Sequence, residues 1–243
     1  MLFNLPNQLN DTIQLGKKPL ELLTSSKLPG VISLFKNNLQ PNQFTGHYYY
    51  DNIWTINGAS AKGCLYILEW WLKARDDSGL EFKYDQWAVN WASRNGQVKV
   101  LEWWLKARDE SGLELKYDQW AINYASCDGQ VKVLEWWLKA RDESGLELKY
   151  DKLAINWASE DGHVEVLEWW LKARDESGLE LRYDKFAINL ASNNGHADVL
   201  DWWKNSGLEL KHDNWGIHSA SNNGHYEVLD WWKNSVLKIP EGC

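Results

Sequence analysis

The run Val100-Leu101-Glu102-Trp103-Trp104-Leu105-Lys106 returns letter for letter at 133–139 and again at 166–172, 33 residues apart each time. Variants begin at Ile67 (ILEWWLK), Val199 (VLDWWKN) and Val228 (VLDWWKN). A fixed period of this size marks a chain built by stacking one supersecondary unit, because a single unit that short cannot bury its own apolar face. Such a stack offers long, shallow, repetitive faces rather than a deep pocket. Binding to another macromolecule is therefore the expected mode of action.

One unit can be read over residues 117–145. Asp118 is an N-cap candidate, its carboxylate accepting orphan amide protons of a first helix over 119–126. Tyr117 and Ile122 have the spacing of a hydrophobic staple across that start. Ala121, Ile122 and Ala125 share one face, small enough for a neighbouring helix to come close. Gly129 supplies the positive φ of a tight reversal. A second helix then carries Val133, Leu134, Trp136, Trp137 and Ala140 on a broad apolar stripe. Glu135 and Lys139 lie off it as an i, i+4 pair, and Ser144-Gly145 ends the helix. Leu146 to Tyr150 alternates apolar and polar and is expected to be extended.

Tryptophan supplies 18 of the 243 residues. Burying one removes about 150–250 Å² from water, on the order of 4–6 kcal/mol gross. Because the repeated pair shares a face with Val and Leu, it is read as core rather than as a cage for a cationic ligand.

The net charge is −8, and Lys and Arg are interspersed with Asp and Glu, so no basic stripe exists to hold nucleic acid or an anionic membrane. Cys64, Cys127 and Cys243 have no pairing pattern, which points to free thiols in a reducing compartment. No run approaches the roughly 20 apolar residues that span a bilayer, and the first residues lack a signal peptide's hydrophobic region. A soluble protein of the cytoplasm is expected.

The residue types that carry chemistry do not assemble into a catalytic pattern. His163, His196 and His225 recur at equivalent positions, but layers about 8–10 Å apart cannot share one ion among them, so no metal site is expected. His212 and His218 lack further ligands. Asp109-Glu110, Asp142-Glu143 and Asp175-Glu176 sit near helix C-termini with no apolar pocket to split their pKa values, and read as a solvated face. Cys127 has no histidine partner. No catalytic residue and no cofactor are expected, and the protein is not read as an enzyme.

The pattern Ala-Ser-x-x-Gly-(His/Gln)-x-x-Val-Leu-x-Trp-Trp, at 92–104, 125–137, 158–170, 191–203 and 220–232 and more loosely from Ala59, resembles the ankyrin repeat run Ala-Ala-x-x-Gly-His-x-x-Val-Val-x-Leu-Leu. It is most similar to the divergent, Trp-rich repeats of giant amoeba-infecting viruses and some protists, which implies a host cytoplasm. The resemblance implies an all-α, ankyrin-like helix-turn-helix solenoid. It also implies that the histidines hydrogen-bond backbone at the inter-helix turn. Where ankyrin has Thr-Pro-Leu-His this chain has Trp120-Ala121-Ile122-Asn123. The stretch after the closing glycine is shorter than ankyrin's, so short extended loops are expected in place of β-hairpin fingers. Residues 1–48 are read as a degenerate N-terminal cap and 49–243 as about six repeats. Leu5-Pro6-Asn7-Gln8-Leu9 faintly resembles the start of an F-box.

The resemblance implies a non-catalytic scaffold that binds a protein through its concave first-helix and loop face. Positions that vary between otherwise matching units are the candidate contacts. These are Arg94-Asn95, Cys127-Asp128, Glu160-Asp161, Asn193-Asn194 and Asn222-Asn223 before the turn glycines. Gln86, Gln119, Lys152, Lys185 and Asn214 at the first-helix starts belong to the same side. A second row, Trp91, Tyr124, Trp157, Leu190 and Ser219, is either packing between units or an aromatic ladder in the groove. Two alternatives stand beside this reading. One is a substrate-recruiting arm of a ubiquitin-ligase-like assembly. The other is self-assembly through an apolar C-terminal end at Val236, Leu237 and Ile239, from a protein otherwise monomeric.

Overall fold

The computed structural model describes residues 55–79 and 81–235. The expected cap, the F-box-like start and the apolar C-terminal end all lie outside them. The described residues form twelve helices in six antiparallel-type pairs and no strand. The first helices are α1 (Ile56–Ala61), α3 (Trp87–Arg94), α5 (Trp120–Cys127), α7 (Leu153–Glu160), α9 (Phe186–Asn194) and α11 (Asn214–Asn223). Each is followed at once by its second helix: α2 (Leu65–Ser78), α4 (Val98–Ser111), α6 (Val131–Ser144), α8 (Val164–Ser177), α10 (Ala197–Asn205) and α12 (Tyr226–Asn234). This is the ankyrin-like stack of helix-turn-helix pairs, joined by irregular loops where hairpin fingers were expected to be absent.

Two glycines punctuate each long unit. Gly145 closes α6 at φ 67°, its amide donating to carbonyls of the last turn. Gly162, between α7 and α8, has φ 79° and a second constraint: a Cβ there would lie 2.7 Å from the ring of His196 in the next layer. His163 and His225 lie over Gly129 and Gly195 in the same way. The histidines therefore do not hydrogen-bond backbone as expected; none caps its helix with its side chain, and the ring instead fills the space left by a missing Cβ.

The second-helix stripe is core throughout. Val133, Leu134, Trp136, Trp137 and Ala140 are all buried. In most other pairs the second Trp is fully enclosed while the first is half-buried, as with Trp104 and Trp103. The two rings meet edge to face, 5.1 Å apart in α4. Each enclosed indole donates to a serine one unit back: Trp104 to Ser60 at 3.0 Å, and Trp137, Trp170, Trp203 and Trp232 to Ser93, Ser126, Ser159 and Ser192 at 3.1 Å. Both groups of each bond are buried, so the ladder satisfies donors that water cannot reach.

The tyrosines before α3, α5, α7 and α9 pack on the enclosed indole of their own unit. Tyr117 lies 4.7 Å from Trp137, and its hydroxyl donates to the Glu147 carbonyl of the following loop at 2.9 Å. Off the stripe, Lys139 pairs forward with Glu143 at 3.8 Å instead of back with Glu135. The Asp109, Asp142 and Asp175 carboxylates are exposed and each pairs with the preceding arginine.

Helix spacing differs on the two sides. First helices stack directly on first helices, whereas second helices touch one another sparsely. The difference comes from side-chain size: Ala88, Ala92 and Ser93 face the neighbouring first helix and are fully buried, while the second helices are held apart by indoles. Helices α10 and α12 have 9 residues against 14 in α2, α4, α6 and α8. That loss of about one turn leaves a shallow notch between α8 and α10, floored by Trp202 and Leu171 and edged by Glu168, Asp175 and Glu176.

Candidate partner-binding face

The first-helix face is set by a polar lock. Asn90, Asn123, Asn156 and Asn189 are buried in the middle of their helices. Each donates through Nδ2 to the aspartate that opens the next unit: Asp118 at 2.7 Å, Asp151 at 3.0 Å, Asp184 at 2.8 Å and Asp213 at 2.6 Å. Each Oδ1 accepts the backbone N–H of the same aspartate at 3.3–3.4 Å. The aspartate also caps its own helix, Asp118 Oδ1 accepting from the Trp120 amide at 3.1 Å. One carboxylate thus fixes a helix start and ties it to the layer before.

That lock holds an aromatic strip in place. Trp87 and Trp91 lie four apart on α3, Trp120 and Tyr124 on α5, and Trp157 continues the row on α7. Trp120 stacks on Trp157 at 5.8 Å and 19°, and Tyr124 on Trp157 at 5.9 Å and 11°. Trp87 reaches Tyr124 at 6.5 Å. All five rings are half-buried, and the row runs from one unit to the next through these ring contacts. Beyond it Phe186 and Trp215 are each 44% exposed.

The variable positions before the turn glycines form the rim beside this strip, and many are engaged across layers. Arg94 reaches Asp128 at 2.9 Å, and its guanidinium stands 4.9 Å from the Tyr124 ring centroid. Asn95 donates to the Ala61 carbonyl at 2.8 Å, Asn194 to the Glu160 carbonyl at 2.9 Å, and Asn223 to the Asn193 carbonyl at 2.9 Å. Cys127 donates to Asp161 Oδ2 at 3.0 Å. At the helix starts Lys152 pairs with Asp184 and Lys185 with Asp213, both at 2.7 Å. Gln86 and Gln119 are half-buried beside the strip, Asn214 has a buried Oδ1 without a partner, and Asn222 is exposed.

Electrostatics follow from these contacts. Burial raises the Asp184 carboxyl, but Lys152, the Phe186 amide and Asn156 together hold it below its ordinary range. Lys185 does the same for Asp213, against burial. Glu160 is pushed up by burial and by the adjacent Asp161. Burial, and then the carboxylate it donates to, push the Cys127 thiol far up, so it is a neutral hydrogen-bond donor rather than a nucleophile. None of the ion pairs among the described residues involves Glu160 or Asp161. No group of three or more His, Cys, Asp or Glu among the described residues is placed to hold a metal ion. No helix among them is long and apolar enough to cross a membrane.

The sequence pattern puts Trp91, Tyr124 and Trp157 in one row, but it does not reveal that Trp87 and Trp120 join them, or the bonds between layers. The signal was present: a polar Asn recurring on an apolar helix face, and a Ser beside a small Ala, each need a partner repeating at the same period.

No protein-family model matches the chain, and no curated protein matches its sequence. Among solved structures it is similar to the ankyrin repeat domain of human ASB11, with a TM-score of 0.48 and 17% identity over 77% of this chain and 88% of that one. The architecture rests on the helix packing described above rather than on that likeness.

Proposed function

We propose that the protein is a non-catalytic interaction scaffold that grips a protein partner with its first-helix face. The observation that carries this is the half-buried aromatic strip from Trp87 to Trp157, extended by the exposed rings of Phe186 and Trp215. Large rings kept at a rigid surface are the usual anchors of protein interfaces, because they bury much area at little entropic cost. The rim beside them supplies the polar border: Glu160 and Asp161 have no ion pair among the described residues and Asn222 is exposed, while Arg94, Asn95, Lys152 and Lys185 already serve the stack.

Immobilised protein should capture a partner from its native cell, and the double charge reversal Glu160→Lys/Asp161→Lys should release that partner with an unchanged thermal melt. A partner retained by this variant but lost on substituting the exposed edge of the second helices, at Glu102 and Glu135, would overturn the reading.

A further inference from the structure

Helix α10 stops about one turn short of α8, and the notch this leaves has a volume of about 410 Å³. Small binding pockets span about 300–1,000 Å³, so the space suits a ligand rather than a water or two. The longer units show what belongs there. In α6 and α8 the Trp pair runs on into Leu138-Lys139-Ala140-Arg141 and Leu171-Lys172-Ala173-Arg174, with both alanines buried. In α10 the chain passes directly from Trp203 to Lys204 and Asn205, where the helix ends.

Helix α8 keeps the groups that would meet such a turn. Arg75 and Arg141 each donate to the carbonyl of the last residue of the next second helix, Ser111 and Ser177, at 3.4 Å. Arg174 meets no such carbonyl among the described residues. It bonds to the adjacent Asp175 at 2.7 Å and is 39% exposed, against 26–28% for Arg75, Arg108 and Arg141. Trp202 and Leu171 give the notch its apolar floor. Around it Lys172 pairs with Glu176 and Arg174 with Asp175, which leaves Glu168 without an ion pair among the described residues. This uncompensated acid favours a basic occupant over an acidic one.

We propose that the notch docks the last turn of a basic helix from a protein partner, seated as the turn that α10 lacks. Its leucine covers Trp202 and Leu171, its lysine or arginine meets Glu168, and a closing carbonyl accepts from Arg174. Basic residues in that last turn also offset the negative end of the helix dipole. The site lies on the second-helix side and does not depend on the first-helix face.

The test titrates the full-length protein with the helical peptide acetyl-Ala-Glu-Ala-Ala-Lys-Ala-Glu-Ala-Ala-Lys-Leu-Lys-Ala-Arg-amide, followed by NMR of leucine methyl and indole N–H signals. Saturable shifts should centre on Leu171 and Trp202. Replacing the peptide's leucine by asparagine should weaken binding about tenfold. Inserting Leu-Lys-Ala-Arg between Trp203 and Lys204 gives α10 its own last turn and should abolish binding without lowering Tm. Leu171→Asp should abolish it too, which keeps the test decisive if the insertion does not fold. Glu168→Gln should weaken binding severalfold, whereas Glu135→Gln makes the same charge change on α6, where α8 supplies its own turn, and should leave it unchanged.

No saturable shift at Leu171 and Trp202 with peptide raised to about 1 mM would overturn the proposal. So would undiminished binding by the folded insertion variant or by Leu171→Asp, or equal binding of the leucine and asparagine peptides.

Discussion

Ser126 accepts a hydrogen bond from Trp170 Nε1 with both groups fully enclosed. Ser126→Ala would strand that indole N–H, and leaving a buried donor unmet costs about 1–3 kcal/mol. Urea denaturation should show the loss, and a change below about 0.5 kcal/mol would mean the indole finds another acceptor. His212 makes a different residue-scale case. It stands where other units have tyrosine, its ring 5.0 Å from Trp232 and its Nδ1 buried without a partner. Burial depresses its pKa, with Asp213 opposing. Above pH 6.5 or so, folded and unfolded chains both keep it neutral and no stability depends on it. As pH falls below that, the unfolded chain takes up a proton the folded chain resists, and stability is lost. Thermal melts of wild type and His212→Tyr should therefore diverge between about pH 6.5 and 5, with the variant the more stable. Parallel curves would show that the imidazole does not titrate against the fold.

At the scale of the element, two glycines with similar backbone angles should respond differently to the same substitution. Gly145 has open space around a would-be Cβ, so Gly145→Ala bears only the left-handed backbone penalty of about 1–2 kcal/mol. Gly162→Ala adds a clash with His196 at 2.7 Å and should cost clearly more. His196→Ala in the Gly162→Ala background should recover part of the difference, measured as a double-mutant cycle; strict additivity would deny the contact. These turns were legible in the sequence because they are local: glycine at a fixed offset from an apolar stripe states its own reason. So were the helix pairs and the indole core. What the sequence concealed was the bonding between layers, since Asn90 meets Asp118 28 residues on and Trp170 meets Ser126 44 residues back. The rim residues were chosen because they vary. Variation alone does not distinguish Arg94, spent on Asp128, from Glu160, which has no such partner.

For the whole molecule, stability should divide into units and junctions, because each layer bonds only to its neighbours. Deleting residues 117–149 removes one period and brings like residues to like positions. Asn90 would meet Asp151 in place of Asp118, and Trp170 would meet Ser93 in place of Ser126. The shortened protein should fold in one cooperative transition with a smaller urea m-value, since less surface is buried. Loss of cooperativity would show that the junctions are not equivalent.

The serine-to-indole and asparagine-to-aspartate bonds repeat with the same chemistry at successive junctions, and this bears on how such a chain changes over generations. Unequal crossing-over between near-identical stretches of its coding sequence would add or remove whole layers, and each product would inherit compatible seams. The number of layers in the stack could then grow or shrink by recombination alone, ahead of any point mutation that gives a new layer its own character.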